Sequence, residues 1–173
     1  MAKGDNPMRR ITIEKLVINI GVGEAGERLI KAAQVLEMLT DRKTVQTISN
    51  TTNKDLGLRK DMPIGVKVTL RGQKAEDFFK RAMWVRQNRI ASYSFDPEGN
   101  CSFGITDYTD FEGMRYDPQI GIFGMSISVV FTRPGKRVQL RKHARHRIPL
   151  NHRTTIEEIH KFLTDEYQIE VVF

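Results

Sequence analysis

The order of the predicted secondary-structure elements indicates an α+β fold. It would have a mostly antiparallel sheet, helices packed on one face and an open polar face. The order is strand, helix, strand, strand, helix, strand, then strand, helix, strand. The length of 173 residues suits a single domain, 1–173, with one core. In the segment 64–71, apolar residues alternate with small, polar and cationic ones, which are Gly65, Lys67, Thr69 and Arg71.

The first half of the chain is predicted to form four elements and a loop, mainly from the spacing of its apolar residues. Apolar residues alternate over 16–22, as in a half-buried strand, and recur with helical spacing over 25–39. β-Branched residues favour a strand at 44–50. The polar stretch 51–63 has no apolar period and is long for a simple connection, so it is predicted to be a mobile loop. The cleanest alternation of all predicts a strand at 64–71.

The second half of the chain is interpreted in the same way. Apolar spacing predicts a helix over 74–90, and a turn sequence inside 93–108 predicts a hairpin. A strand is expected at 125–132. The residues from Thr155 to Glu158 form a capping box that opens the last helix, and alternation predicts a final strand at 169–173.

The positive charge of the chain is concentrated in one segment. There are 28 Lys and Arg residues against 21 Asp and Glu, a net charge of +7. Residues 133–153, the basic segment, hold eight of the cations, three His and no acid, and the rest of the chain is nearly neutral. Such focused potential suits phosphate groups. The eight candidate phosphate contacts are Arg133, Lys136, Arg137, Arg141, Lys142, Arg145, Arg147 and Arg153.

Two other uses of the basic segment fit its residues less well. A basic amphipathic membrane helix would be broken by Pro134, Gly135 and Pro149 and would lack a bulky apolar face. An ordinary solvated surface normally mixes charges of both signs. Nucleic acid is therefore the favoured partner. In the same way, the open sheet face could be an ordinary solvated face, because antiparallel sheets commonly face water.

A glycine motif suggests a second class of function. The residues from Gly21 to Gly26 match G-x-G-x-x-G between a strand and a helix, so a nucleotide-binding enzyme is the alternative hypothesis. A dinucleotide site needs an acid at the end of the next strand, but that strand ends in Ser49 and Asn50. Glu24 would also lie beside the phosphates. Close packing of the turn is the better interpretation.

No residue set predicts a metal or cofactor site. The single cysteine, Cys101, excludes a disulfide framework and a Cys-rich zinc site, and a buried or incidental thiol is expected. His143 and His146 have a spacing that could hold a metal, but the surrounding Arg and Lys residues would repel a cation. No signal peptide or apolar span is present, so the composition predicts a cytoplasmic protein without a membrane segment.

Several runs of residues resemble a known family. They are NPMRRITIEKLVINIGVGEAGE at 6–27, PIGVKVTLRG at 63–72, FGITDYTDF at 103–111, YDPQIGIFGM at 116–125 and the RPGKRV start of the basic segment. Together they resemble the L-five family of large-subunit ribosomal proteins. The NPMR start and the extended basic segment are similar to its archaeal and eukaryotic branch.

The resemblance implies a structural rRNA-binding protein and no enzyme. A member of this family binds 5S rRNA and large-subunit rRNA at the central protuberance of the large subunit. It also contacts the P-site tRNA, the small-subunit head and neighbouring ribosomal proteins. The loop at 51–62 corresponds to the family's tRNA-contacting loop, with Lys54, Arg59 and Lys60 as the expected phosphate partners.

The resemblance also implies which residues bind 5S rRNA. Members of the family bind 5S rRNA through an Asn and a Thr on one sheet face. These two residues correspond here to Asn19 and Thr69. Both fall on the polar face that alternation predicts, beside Lys67 and Arg71. A third family contact is a Gln, and by spacing its place is taken here by Arg42, a departure from the pattern.

Overall fold

A computed structural model describes residues 6–172 of the chain. In this part of the chain the longest helix has 14 residues, and no helix is long and apolar enough to cross a membrane. The helices and strands, in chain order, are β1 Thr12–Gly21, α1 Glu27–Thr40, β2 Val45–Ile48, β3 Pro63–Leu70, α2 Gln73–Val85, β4 Arg89–Ala91, β5 Cys101–Ile105, β6 Met125–Thr132, α3 Arg137–Leu140, α4 Ile156–Tyr167 and β7 Glu170–Val172.

The strands form a mostly antiparallel sheet, which confirms the predicted α+β class. Five strands lie in the order β2-β3-β1-β6-β5, and β4 and β7 pair in parallel as a separate two-stranded sheet. The edge strand β2 pairs antiparallel with β3, and Val45 lies opposite Lys67 in this register. Side chains of directly opposite residues lie on the same face of a sheet, so register decides which groups meet.

The contacts of the chain divide it into two compact units. The first unit comprises 71–102 and 129–172 together with 6–16, and the second comprises 17–70 and 103–128. In the second unit, α1 packs against β3. From Val66 to Leu70 buried and exposed residues of β3 alternate as predicted. Gly65, which was predicted to lie on the open face, is buried instead, because Ile20 O and Thr47 Oγ1 lie close to it. That a single domain spans 1–173 and that loop 51–63 is mobile both stay predictions.

An aromatic cluster forms the centre of the first unit. The Phe79 ring of α2 meets Phe131 of β6 edge-on, with 6.2 Å between ring centroids, and Tyr167 of α4 at 5.2 Å. Phe162, also on α4, meets Phe131 at 6.0 Å. Offset and edge-on aromatic pairs contribute beyond their buried area. The capping box predicted at Thr155 is present and starts α4.

The helix predicted over 74–90 is shorter than expected. It ends at Val85 because Gln87 and Asn88 both adopt the left-handed conformation, with φ of 55°, which an α-helix cannot contain. The chain then continues as β4, where Ile90 is buried as a strand residue. Apolar spacing alone could not distinguish the last turn of a helix from a short buried strand.

The hairpin predicted over 93–108 is also wrong. The turn exists, since Asp96 N donates to Asn100 O at 2.9 Å. Before it, however, Ser92–Ser94 form a short 3-10 helix, and Phe95 and Cys101 make only an isolated bridge. The strand β5 instead lies beside β6.

Candidate nucleic-acid interface

The second unit has an open sheet face with the polar character that alternation predicted. On β1, Asn19 is exposed between the buried Ile18 and Ile20. On β3, Lys67 and Thr69 are exposed between buried residues. These three side chains therefore point away from the core, and they carry the hydrogen-bonding groups that a nucleic acid requires.

The strands β1 and β3 run antiparallel and bring these side chains close together. Val22, just after the end of β1, donates its N–H to Ile64 O at 3.0 Å, near the start of β3. At the other end, Glu14 of β1 lies 3.9 Å from Arg71, which follows β3. Counting back from Val22 and Ile64 places Asn19 opposite Lys67.

A groove of about 540 Å³ lies at one edge of this face, between the end of α1 and the strands β2 and β3. It brings together three of the residues singled out in the sequence, Arg42, Lys67 and Thr69. We call it the Arg42 groove, and its lining is completed by Asp41, Lys43, Val45 and Val68. Within residues 6–172, the side chains of Arg42 and Lys67 form no ion pair, so their charge faces solvent.

Two residues of the Arg42 groove were missed by the sequence analysis. Lys43 adds a third cation, and its position directly after Arg42 could have indicated it. Val45 enters the groove because it pairs with Lys67 across β2 and β3, and it is 58% exposed. Nothing local in the sequence reveals that pairing, since it depends on the register of two strands.

Arg71 has a different setting from the groove residues. Its guanidinium lies 3.9 Å from the carboxylate of Glu14, and the same carboxylate lies 2.9 Å from the Lys136 ammonium. Lys136 is only partly exposed. Both cations were expected to contact RNA, and both share one acid within the first unit.

The loop at 51–63 has a hydrogen-bonded turn at its tip. Asn53 and Leu58 exchange two backbone hydrogen bonds of 2.9 and 2.8 Å, and Asn53 Oδ1 accepts from Asp55 N at 3.0 Å. Gly57 adopts a φ of 66°, which the tight turn requires. Lys54, Arg59 and Lys60 are all exposed around this turn, as a phosphate-binding role would need.

The basic segment presents five of its eight cations to solvent. The exposed ones are Arg137, Arg141, Lys142, Arg145 and Arg147. Arg153 is half-buried and lies 3.4 Å from Glu98. The segment is closed at its base, where His152 Nε2 lies 2.9 Å from Pro134 O.

The expectation for Arg133 needs correction. Its side chain is only 6% exposed, lies 2.6 Å from a carboxylate oxygen of Glu158 and donates to Arg153 O at 3.3 Å. A guanidinium in this position cannot reach a phosphate without breaking that pair. Arg133 therefore anchors the base of the basic segment to α4. The sequence did not reveal this ion pair because Arg133 and Glu158 lie far apart along the chain.

The glycine motif of the second unit has a conformational explanation, and the close packing expected of it is wrong: among the described residues, nothing lies within 4 Å of a Cβ built at Gly21, Gly23 or Gly26. Gly23 and Gly26 have φ of 82° and 130°, conformations that favour glycine, and α1 begins directly afterwards at Glu27. Glu24 forms an i,i+4 pair with Arg28 at 3.7 Å, and Glu27 forms one with Lys31 at 2.9 Å. Glu24 and Glu27 thus put two carboxylates at the start of α1, the end of a helix at which a pyrophosphate would bind.

Cys101 is buried, as expected. Burial, with a smaller effect from nearby Asp96, raises the pKa of its thiol to about 12, so the thiol is unreactive at neutral pH. Within the described part of the chain, no three His, Cys, Asp or Glu side chains lie together as metal ligands would.

Comparison with known proteins identifies similarity along nearly the whole chain. Residues 6–59 match the family described as ribosomal protein L5, and residues 63–170 match the model of that family's C-terminus. The large ribosomal subunit protein uL5 of Thermoplasma acidophilum is 49% identical over 168 residues, covering 96% of this chain and 99% of its own. The uL5 of Sulfurisphaera tokodaii is 49% identical, covering 96% and 95%, and that of Picrophilus torridus is 48% identical, covering 99% and 98%. These are archaeal relatives, which confirms the resemblance seen in the sequence.

Proposed function

The chain belongs to the ribosomal protein L5 family, and from that premise we propose that it binds 5S rRNA through the open face of its second unit. It is a structural constituent of the large ribosomal subunit in the cytoplasm, and not an enzyme. This rules out the nucleotide-binding enzyme that the glycine motif suggested. Its partners are ribosomal RNA and other ribosomal proteins.

The Arg42 groove is the observation that carries the proposal for 5S rRNA. It joins two unpaired cations, Arg42 and Lys67, to a hydroxyl donor and acceptor, Thr69. Asn19 lies on the same face, opposite Lys67. Guanidinium and ammonium groups bind phosphates, while Asn and Thr side chains bind ribose hydroxyls and base edges. Sequence-specific recognition of RNA uses irregular loops whose bases are accessible, so such a loop of 5S rRNA fits this face.

Replacing Asn19 or Thr69 with alanine should weaken 5S rRNA binding by about 1–3 kcal/mol. Each variant removes a hydrogen-bonding group and leaves no charge changed, so the slope of log K against log salt concentration should stay the same. Filter binding at several salt concentrations measures both quantities. Unchanged 5S affinity for Thr69→Ala, with the fold intact, would contradict the assignment of this face.

Two further variants make the comparison specific. Lys67→Ala should flatten the salt slope by somewhat under one unit, because one phosphate contact is lost. Thr164→Ala removes an exposed threonine from α4, outside this face, and should bind 5S rRNA as the unaltered chain does.

We also propose that the loop at 51–63 contacts P-site tRNA. The hydrogen-bonded turn holds Lys54, Arg59 and Lys60 on an exposed tip, which supports this role. Replacing all three with alanine should weaken tRNA binding and flatten its salt slope by about 0.7–0.9 per lost phosphate contact. Fluorescence anisotropy with labelled tRNA measures this.

The control for the loop is Leu56→Ala, which removes an exposed apolar side chain from the same tip without changing charge. It should leave the salt slope unaltered. If the triple variant bound tRNA as strongly as the unaltered chain, the loop would have another partner. In either case 5S rRNA binding should not change, because the Arg42 groove is intact.

The exposed cations of the basic segment complete the proposal. With five cations facing solvent and no acid in 133–153, this segment is suited to the phosphates of large-subunit rRNA. From the family premise we further propose that the protein lies at the central protuberance and contacts neighbouring ribosomal proteins and the small-subunit head.

A further inference from the structure

Two arginines of the basic segment are held by the backbone of the segment itself. Arg141 donates from Nε to Ala144 O at 2.9 Å, and Arg145 donates from Nε to Gln139 O at 2.7 Å. Both side chains are otherwise exposed. An exposed arginine normally samples many rotamers, so two tethered ones in a single short segment require an explanation.

The tether uses only one of the guanidinium's donor positions. With Nε bonded to a carbonyl, Nη1 and Nη2 remain available on the outer side of the planar group. These two nitrogens can bind a phosphate through two parallel hydrogen bonds. Because the side chain is already oriented, less conformational entropy is lost when the phosphate binds.

The backbone around these arginines is hydrogen-bonded within the segment. Arg141 N donates to Arg137 O at 2.9 Å, and His146 N donates to Val138 O at 3.2 Å, which folds the segment back on itself. Ala144, whose carbonyl accepts from Arg141 Nε, adopts the left-handed conformation with a φ of 49°. The segment is thus a folded loop with defined arginine positions.

The two tethered arginines also keep their full charge for an external partner. Arg133, Lys136 and Arg153 each lie within ion-pair distance of a glutamate. Neither Arg141 nor Arg145 forms an ion pair with any residue in 6–172. The acids therefore neutralise the base of the segment, while its tip remains cationic.

We propose that Arg141 and Arg145 form a preoriented phosphate clamp that recognises the backbone geometry of folded large-subunit rRNA. This inference rests on the proposed rRNA-binding function and assigns selectivity to a segment whose composition alone suggests general attraction to polyanions. A clamp of fixed geometry accepts phosphates whose spacing matches it. A flexible chain such as poly(U) must lose entropy to present its phosphates in the same way.

The test is to replace each tethered arginine with lysine in the full-length chain. Arg141→Lys and Arg145→Lys preserve the charge, but one ammonium cannot both keep the carbonyl tether and bind a phosphate through two outer nitrogens. We expect each variant to bind a folded large-subunit rRNA transcript roughly 3- to 10-fold more weakly. Binding to poly(U) should change less than about 2-fold, and both salt slopes should be unaltered.

The matched control is Arg86→Lys. Arg86 is an exposed arginine just after α2, outside the basic segment, and within residues 6–172 its side chain makes neither a hydrogen bond nor an ion pair. This variant should bind both RNAs like the unaltered chain. Circular dichroism melts verify that every variant remains folded.

Three results would overturn the clamp. One is that the lysine variants at 141 and 145 keep the unaltered chain's preference for the transcript over poly(U). Another is that Arg86→Lys loses as much affinity as they do. If the unaltered chain itself shows no preference for the transcript, selective rRNA binding by this chain fails, and the clamp fails with it. The first two results leave the proposed function intact.

Discussion

Replacing Arg133 with alanine should lower the free energy of unfolding by about 2–3 kcal/mol. The guanidinium is 6% exposed and makes a 2.6 Å ion pair with Glu158, and removing one partner of a buried pair leaves the other without compensation. Glu158 is 41% exposed, so water recovers part of its hydration and the effect lies at the low end for such pairs. The bond from Arg133 to Arg153 O, which closes the basic segment, is lost as well. Urea denaturation measures the change.

Two variants separate the charge from the packing. Arg133→Met fills most of the same volume without a charge, so it should be less destabilising than alanine. Glu158→Gln, combined with each Arg133 variant, gives the coupling between the two side chains. If Arg133→Ala changed stability by less than about 0.5 kcal/mol, the value typical of surface positions, the pair would not anchor the segment.

The stability lost in Arg133→Ala should depend on pH, in a direction that the pKa of Glu158 determines. Burial raises the pKa of Glu158, but hydrogen bonds from Arg133 and Thr155 and the charge of Arg133 together lower it below its ordinary value of 4.5. A carboxyl group with a lowered pKa in the folded state contributes stability above its unfolded pKa and loses it as pH falls through the folded value. The difference in free energy of unfolding between the unaltered chain and Arg133→Ala should therefore be largest at neutral pH and should shrink as the pH falls below about 4.5.

Replacing Gly65 with alanine should disturb the open face of the second unit. A Cβ at this position would lie 2.8 Å from the backbone oxygen of Ile20 and 2.8 Å from Thr47 Oγ1. The threonine can move, but the backbone of β1 cannot move without separating from β3. We expect the free energy of unfolding to fall by about 1–3 kcal/mol and 5S rRNA affinity to fall with it, because Asn19 and Lys67 flank the same contact.

The chain offers a close control for that variant. Gly104 is also a strand glycine of the second unit, but a Cβ there would meet nothing nearer than Met125 O at 3.9 Å. Gly104→Ala should leave stability unchanged or raise it by up to about 1 kcal/mol, since glycine is costly inside a strand. Adding Thr47→Ala to Gly65→Ala should recover only part of the loss. If alanine at 65 and at 104 changed the free energy of unfolding equally, the close approach of the β1 backbone to β3 would not be the reason for a glycine at position 65.

Much of the candidate site could be predicted from the sequence because it depends on strand alternation. Ile18 and Ile20 alternate with Asn19, and Val66 and Val68 with Lys67, so the sequence predicts one apolar and one polar face for each strand. The resemblance to the family independently selected residues on the polar face. The capping box of α4 was equally visible, because both of its partners lie within four consecutive residues.

The errors share a different origin. The helix at 74–90 and the hairpin at 93–108 were misjudged because short apolar runs do not distinguish a helix end from a strand, or one strand partner from another. The lining of the Arg42 groove by Val45 depends on the register between β2 and β3. Register is set by the whole sheet, and periodicity within one strand does not report it.

The sequence by itself determined the fold class, the family, the polar face and the place of the excess charge, since all of these follow from local order and composition. Only the tertiary structure decided which cations are available. Arg133 is buried against Glu158 and Lys136 is paired with Glu14, while Arg141 and Arg145 are tethered to backbone carbonyls and remain open to a partner. A charge is available or neutralised according to the groups that folding brings within a few ångströms of it, and in both pairs the acid is distant in the sequence.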